Sequence, residues 1–114
     1  MSTEVLIVEE VLVESASPEE GVISVWTLNR PDKLNALNSD SHIAIKEQCV
    51  KAESDDNVRC IVIRGAPPME PKEGKRAKPP AFAAGADISE FSGKNSDDVR
   101  PFFEENAWEA VWNV

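Results

Sequence analysis

The hydrophobic period of this sequence changes from strand to helix and back between Val22 and Gly65, and that alternation limits the available folds more than any other feature. Val22 to Leu28 reads as a strand in which Ile23, Val25 and Thr27 alternate against Val22, Ser24 and Trp26. Neither set is strongly polar, so both faces are expected to be covered. From Ser39 to Glu53 the period is helical: Ile45, Cys49 and Ala52 share a stripe flanked by Ile43 and Val50, and Asn38, Ser39 or Asp40 can act as N-cap. Asp55-Asp56-Asn57 then turns the chain into Val58 to Gly65, a β-branched-rich run closed by glycine. A helix joining two strands predicts a crossover and a parallel pair, and therefore an α/β fold.

Ahead of this unit, Val5-Leu6-Ile7-Val8 and Val11-Leu12-Val13 carry strand signals broken by Glu9-Glu10. The turn-forming stretch Ser15 to Gly21 follows, so a hairpin onto the Val22 strand is expected. Pro31 ends that strand, because it has no N–H to donate to a ladder. Behind the unit, residues 67–80 hold five prolines and one glycine with no apolar period, and read as an exposed loop. Lys72, Lys75, Arg76 and Lys78 outnumber Glu70 and Glu73 there. A solvated insertion is the plain reading of such a loop, and phosphate binding the sharper one. Residues 97–114 are predicted as a helix, with Val99, Phe103, Asn106, Ala107, Ala110 and Val114 on one face, Trp108 and Trp112 on another, and no stop signal before the last residue. That helix is expected to be cut at the chain end, with something else covering the tryptophans.

With 114 residues, one hydrophobic core is the ceiling. Twenty-one acidic residues against twelve basic ones give a net charge of −9, which argues against nucleic acid or an anionic membrane as partner. An anionic ligand would need a local basic patch. Cys49 and Cys60 follow no metal-ligand spacing and are expected to serve as small buried hydrophobes; no metal site is expected. No stretch reaches the roughly 18 to 20 apolar residues of a membrane span, and Met1-Ser2-Thr3-Glu4 lacks the basic start of a secretory signal. The expected compartment is the cytoplasm, or an organelle after processing.

The stretch with the most chemical content is Ala81-Phe82-Ala83-Ala84-Gly85-Ala86-Asp87-Ile88, small residues crowded around one glycine, with a short helical turn expected from Ile88 to Phe91. Small side chains let a ligand approach the backbone itself, and unpaired N–H groups there can donate to an oxygen on which negative charge develops. Taken alone, such a run is more often a tight turn or close packing.

Asn29-Arg30-Pro31-Asp32-Lys33-Leu34-Asn35-Ala36-Leu37-Asn38 adds a second motif. A strand ending in Leu-Asn-Arg-Pro, then Asn-Ala-Leu, a helix, a Val/Ile-rich strand and Ala-Phe-Ala-Ala-Gly-Ala-Asp-Ile resembles, in order, the N-terminal part of the enoyl-CoA hydratase/isomerase (crotonase) family. The resemblance implies the first half of a crotonase-like spiral of β-β-α units. It implies an acyl-CoA substrate, with no cofactor besides the coenzyme A that the substrate carries. The Ala84 N–H would be one of two oxyanion-hole donors to the thioester oxygen, with Gly85 permitting the turn. Ala83, Ala86, Asp87 and Ile88 would line the coenzyme A and acyl path, and Lys33, Leu34 and Ala36 would border its adenine and phosphate end. Arg30 offers a second charge suited to phosphates; solvated surface roles for Arg30 and Lys33, and a turn-capping role for Asp87, stay open.

Family members are roughly twice this length or more, so residues 1–114 are expected to be the N-terminal part of one domain, acting with the remaining C-terminal half. That half would hold the second donor and the acid/base glutamates; Glu104, Glu105 and Glu109 are not drafted in their place. The parent reaction expected is hydration of a short-chain enoyl-CoA such as crotonyl-CoA, in a trimer or hexamer, with the 114 residues inactive alone. An isomerase, a hydrolase, or a non-catalytic coenzyme A-binding or oligomer-forming fragment are the alternatives.

Overall fold

The computed structural model describes residues 4–12, 21–71, 73–76, 78–87, 89, 93, 95, 97–98, 100 and 106–114. Three strands, β1 (Leu6–Val11), β2 (Val22–Leu28) and β3 (Val58–Gly65), form one sheet in the order β1-β2-β3. β1 runs antiparallel to β2, with Leu6 opposite Leu28 and Val11 opposite Ile23, as a hairpin requires. β2 and β3 are parallel, with Ile23 opposite Cys60 and Leu28 opposite Gly65, and helix α1 (Ser39–Ser54) is the crossover between them. The mixed sheet and its helix are the α/β arrangement that the strand-helix-strand pattern predicts.

β2 is the central strand, and its composition explains why. Val22, Ser24, Trp26 and Leu28 are buried on one side, Thr27 is buried on the other, and Ile23 and Val25 are half-buried. The Trp26 indole N–H donates to the Ser24 hydroxyl at 2.8 Å, so the ring is buried without an orphaned donor. α1 lays Ile45 and Cys49 over this face, and the fully buried Ile45 side chain contributes about 1.5–3 kcal/mol relative to exposure. Asn38 caps α1: its Oδ1 accepts from the Ser41 N–H and from the Ser41 hydroxyl, both at 2.8 Å. Ile43 and Val50, flanking the stripe, point outward.

Three expectations need correction. β1 is not broken at Glu9-Glu10 but runs through both, because it is an edge strand whose outer residues face solvent, where carboxylates cost nothing. Glu9 there meets the Arg64 guanidinium at 3.9 Å, an exposed pair. Cys60 is exposed rather than buried, since β3 is the opposite edge and only Cys49 lies under α1.

The stretch 97–114 is not one helix. Asn106 is extended (φ −75°, ψ 158°) and its Oδ1 accepts from the Glu109 N–H at 3.2 Å, so it starts a separate helix, α2 (Ala107–Trp112). α2 closes on Asn113, whose N–H donates back to Ala110 and Glu109 carbonyls. The stripe residues Val99 and Phe103 lie outside the described residues. α2 docks on α1 through the Ala107 N–H, which donates to His42 Nδ1 at 3.0 Å, and through Ala107 itself, which is fully buried. Trp108 packs against the core and against Phe82, ring centroids 6.2 Å apart, whereas Trp112 is 88% exposed. No helix among the described residues is long and apolar enough to cross a membrane.

Candidate functional site

β2 and β3 both deliver the chain to the same end of the sheet, and the two sequence motifs meet there. After Leu28 the chain enters a short 3-10 turn, Pro31–Lys33, for which Pro31 is pre-set. Leu34 and Asn35 then both adopt left-handed backbone (φ 52° and 58°). Asparagine tolerates that conformation; leucine is held in it, at a cost of about 1–2 kcal/mol.

The Asn35 side chain is what holds the turn. Its Oδ1 accepts from the Arg30 N–H at 2.9 Å, and its Nδ2 donates to the carbonyls of Ala66 (3.1 Å) and Ala81 (2.9 Å). One buried carboxamide thus joins the loop, the end of β3 and the start of the small-residue run. The approach is close at Gly65: a Cβ there would overlap the Ala81 and Phe82 carbonyl oxygens. β3 has to end in glycine for the two segments to touch.

Residues 84–87 dock alongside 34–37 in a parallel bridge between Leu37 and Ala86. The Leu37 N–H donates to the Gly85 carbonyl (2.7 Å) and the Asp87 N–H to the Leu37 carbonyl (2.8 Å). Gly85 sits at φ 117°, a conformation that a side chain would strain. Arg30 locks the junction, donating from Nη1 to the Ala36 carbonyl (2.6 Å) and from Nη2 to the Asp87 carboxylate (3.0 Å). Both side chains of that ion pair are only 15% exposed. Asp87 Oδ1 also accepts from the Ser89 hydroxyl and the Ser89 N–H. The Ser89 hydroxyl first, and Arg30 next, hold the Asp87 carboxyl below the usual carboxylate range.

The motif residues therefore take different parts. Leu34, Ala36, Ala84, Gly85, Ala86 and Asp87 come together. Lys33 ends the 3-10 turn with its side chain in solvent, Ala83 faces the core, and Ile88 lies outside the described residues. Asp87 caps the turn at Ser89 and pairs with Arg30, so Arg30 is a structural cation rather than a phosphate ligand.

The Ala84 N–H, expected as an oxyanion donor, instead donates to the Leu34 carbonyl at 3.0 Å. The register of the bridge accounts for this. Leu37 bonds to the residues on either side of Ala86, which turns the N–H and C=O of Ala86 away from Leu37. Ala86 is exposed, and its N–H has no acceptor among the described residues. Sequence patterns do not single out Asn35 and Leu37 as site residues. An asparagine between Leu34 and Ala36 is a legible signal for left-handed backbone, but its three partners are not.

A sequence profile described as enoyl-CoA hydratase/isomerase matches residues 23–112, most of the chain. The chain belongs to that family. It is 37% identical over 84 residues to a short-chain-enoyl-CoA hydratase of Clostridium acetobutylicum, covering 74% of this chain and 28% of that protein. It is 34% identical over 83 residues to a 1,2-epoxyphenylacetyl-CoA isomerase of Escherichia coli, covering 73% and 26%. This family member thus spans little more than a quarter of the relatives it matches. Among solved structures it superposes on Pseudomonas aeruginosa DspI with a TM-score of 0.67 at 25% identity, covering 97% of this chain and 35% of that one. An enoyl-CoA hydratase/carnithine racemase from Magnetospirillum magneticum gives a TM-score of 0.66 at 30% identity, covering 96% and 35%. The fold is the crotonase fold in part.

Proposed function

We propose that these residues form the thioester-binding side of an enoyl-CoA hydratase site, in which water adds across the 2,3 double bond of a short-chain enoyl-CoA such as crotonyl-CoA. The supporting observation is the exposed Ala86 N–H, left without an acceptor among the described residues by the Leu37 bridge. In this reading Ala86 takes the donor role expected of Ala84, whose N–H is committed to Leu34. A donor fixed by backbone pairing needs no reorganisation as the thioester oxygen gains charge, and one such donor is worth about 2.7–4 kcal/mol of barrier. Ala84, Gly85 and Asp87 hold that amide in place, while Leu34, Ala36 and Lys33 flank the path of the coenzyme A chain, and Ala83 supports the run from the core side.

Hydration also needs a general base for water and an acid for Cα. Asp87 suits neither role: its oxygens are engaged by Arg30 and Ser89, which weakens it as a base, and its lowered pKa leaves it without a proton to donate. Glu109 is an exposed first-turn charge on α2, and Glu104 and Glu105 lie outside the described residues. The reading therefore assigns the acid/base pair and the second amide to the remaining C-terminal half of the enzyme, and makes the complete enzyme a trimer or hexamer. Consistent with this, β3 is an unpaired sheet edge among the described residues, beside an open groove of about 460 Å³ lined by Ile61, Ile63, Val111 and Val114. The similarity to the E. coli isomerase keeps isomerisation as a second reading, since both reactions start from a polarised thioester.

The test is a pair of proline substitutions in the complete enzyme. Ala86→Pro removes the proposed donor and is expected to lower kcat for crotonyl-CoA hydration by about 10²–10³-fold. Ala84→Pro breaks the Leu34 bond and should lower thermal stability more than the rate per folded molecule. Full turnover in the Ala86 variant would refute the assignment; isomer rather than hydrated product from the wild type would favour the second reading.

A further inference from the structure

Arg30 does more than hold the junction, because the groups it touches lie in series with the proposed donor. Its Nη1 donates to the Ala36 carbonyl at 2.6 Å. The other end of that peptide group is the Leu37 N–H, which donates to the Gly85 carbonyl at 2.7 Å. The other end of the Gly85 peptide group is in turn the Ala86 N–H, which has no acceptor among the described residues. In a trans peptide the N–H and the C=O point opposite ways. The two groups therefore run head to tail from the guanidinium to the open amide.

Hydrogen bonds in such a chain polarise one another. A cation on the Ala36 carbonyl draws electron density toward that oxygen and makes the Leu37 N–H a stronger donor; the Gly85 carbonyl passes the same effect to Ala86. Each link strengthens the next by roughly 10–30%. Both bonds are short for N–H···O contacts, which centre on about 2.9–3.0 Å. Water screens them little, since Leu37 is 7% exposed and the Arg30 side chain is mostly covered. Asp87 takes the other guanidinium nitrogen, Nη2, and anchors the cation from the side away from Ala36.

We propose that Arg30 is a positioning residue for the oxyanion amide: through the Ala36–Leu37 and Gly85–Ala86 peptide groups it strengthens the Ala86 N–H as a donor to the thioester oxygen. The assignment rests on the thioester reading and adds to it a charged residue that never meets the substrate. Charge grows on the thioester oxygen only as the reaction proceeds, so the effect falls on kcat more than on KM.

The test compares two variants of the complete enzyme that break the same ion pair. Arg30→Met also takes the cation off the Ala36 carbonyl, whereas Asp87→Asn leaves it there. Against a donor worth about 10²–10³-fold, two links of roughly 10–30% each predict a loss of about 2–20-fold in kcat per folded molecule for Arg30→Met. The loss in Asp87→Asn should be smaller. The direct readout is the infrared carbonyl stretch of bound butyryl-CoA, a saturated thioester that cannot be hydrated. It should lie below its value in water in the wild type, rise in Arg30→Met, and stay nearer the wild type in Asp87→Asn. Equality of the two variants in either readout would leave Arg30 as half of a lock and overturn the proposal. An unshifted stretch in the wild type would overturn the thioester reading itself. Should Arg30→Met not fold, an ester in place of the Leu37 amide, introduced by chemical ligation, breaks the chain with both side chains intact; a wild-type stretch in that protein would overturn the proposal as well.

Discussion

Arg30 and Asp87 meet at 3.0 Å across fifty-seven residues of sequence, and their pairing fixes the small-residue run against the Asn29–Asn38 loop. The same guanidinium donates to the Ala36 carbonyl, so one side chain sets the spacing of both motifs. A cation that the sequence offers to a ligand's phosphates is committed instead to the architecture of the site.

This pairing gives a pH dependence. The Asp87 carboxyl is held below its ordinary value in the folded protein, so the folded state favours its ionised form. The resulting stability is fully present above the unfolded value, about 4, and is lost as pH falls through the depressed folded value. Urea unfolding of the wild type should show it weakening below about pH 4. In Asp87→Asn that part of the acid dependence should vanish; an unchanged profile would mean the pair carries no linkage.

Asn35 is 2% exposed and makes three side-chain hydrogen bonds, so its replacement is expected to be costly. Asn35→Asp keeps the acceptor for Arg30 but orphans the carbonyls of Ala66 and Ala81, each at about 1–3 kcal/mol. Chemical denaturation should place it below Asn35→Gly, which loses all three bonds but relieves the left-handed backbone and puts no buried carboxylate beside the two orphaned carbonyls.

Two glycines should fail for different reasons. Gly65→Ala puts a methyl into the Ala81 and Phe82 carbonyls and should cost about 1–3 kcal/mol by displacing that segment. Gly85→Ala meets no neighbour, and its cost of about 1–3 kcal/mol comes from φ 117° alone. Crystal structures of the variants separate them: residues 81–82 move in the first and Gly85's own backbone relaxes in the second.

His42 accepts from the Ala107 N–H at the start of α2, so His42→Ala leaves a helix-start amide without that acceptor. A loss of about 1 kcal/mol is expected. Amide exchange at Ala107 to Trp112 should accelerate, while exchange in β2 changes only by the global loss.

Much of the scaffold is legible because it rests on local patterns. The alternation of β2, the 3.6-residue stripe of Ile45 and Cys49 and the Asn38 cap each lie within a few residues of the element they define. β1 misleads because two glutamates break a hydrophobic pattern without breaking an edge strand. The split at Asn106 has a local signature too, an asparagine three residues before Glu109, but the apolar stripe running through both parts hides it. Which backbone amide is left open is a different kind of question. Ala84 and Ala86 are alike in sequence, and only the register of residues 84–87 against Leu34 and Leu37 separates them.

The two ends of the 67–80 loop converge on a single carboxamide, that of Asn35. Closure of the loop is thus set at its base, and further residues in it add only a slowly growing entropic cost. The segment is an interchangeable insert: its length and charge can drift while the junction at Asn35 stays closed.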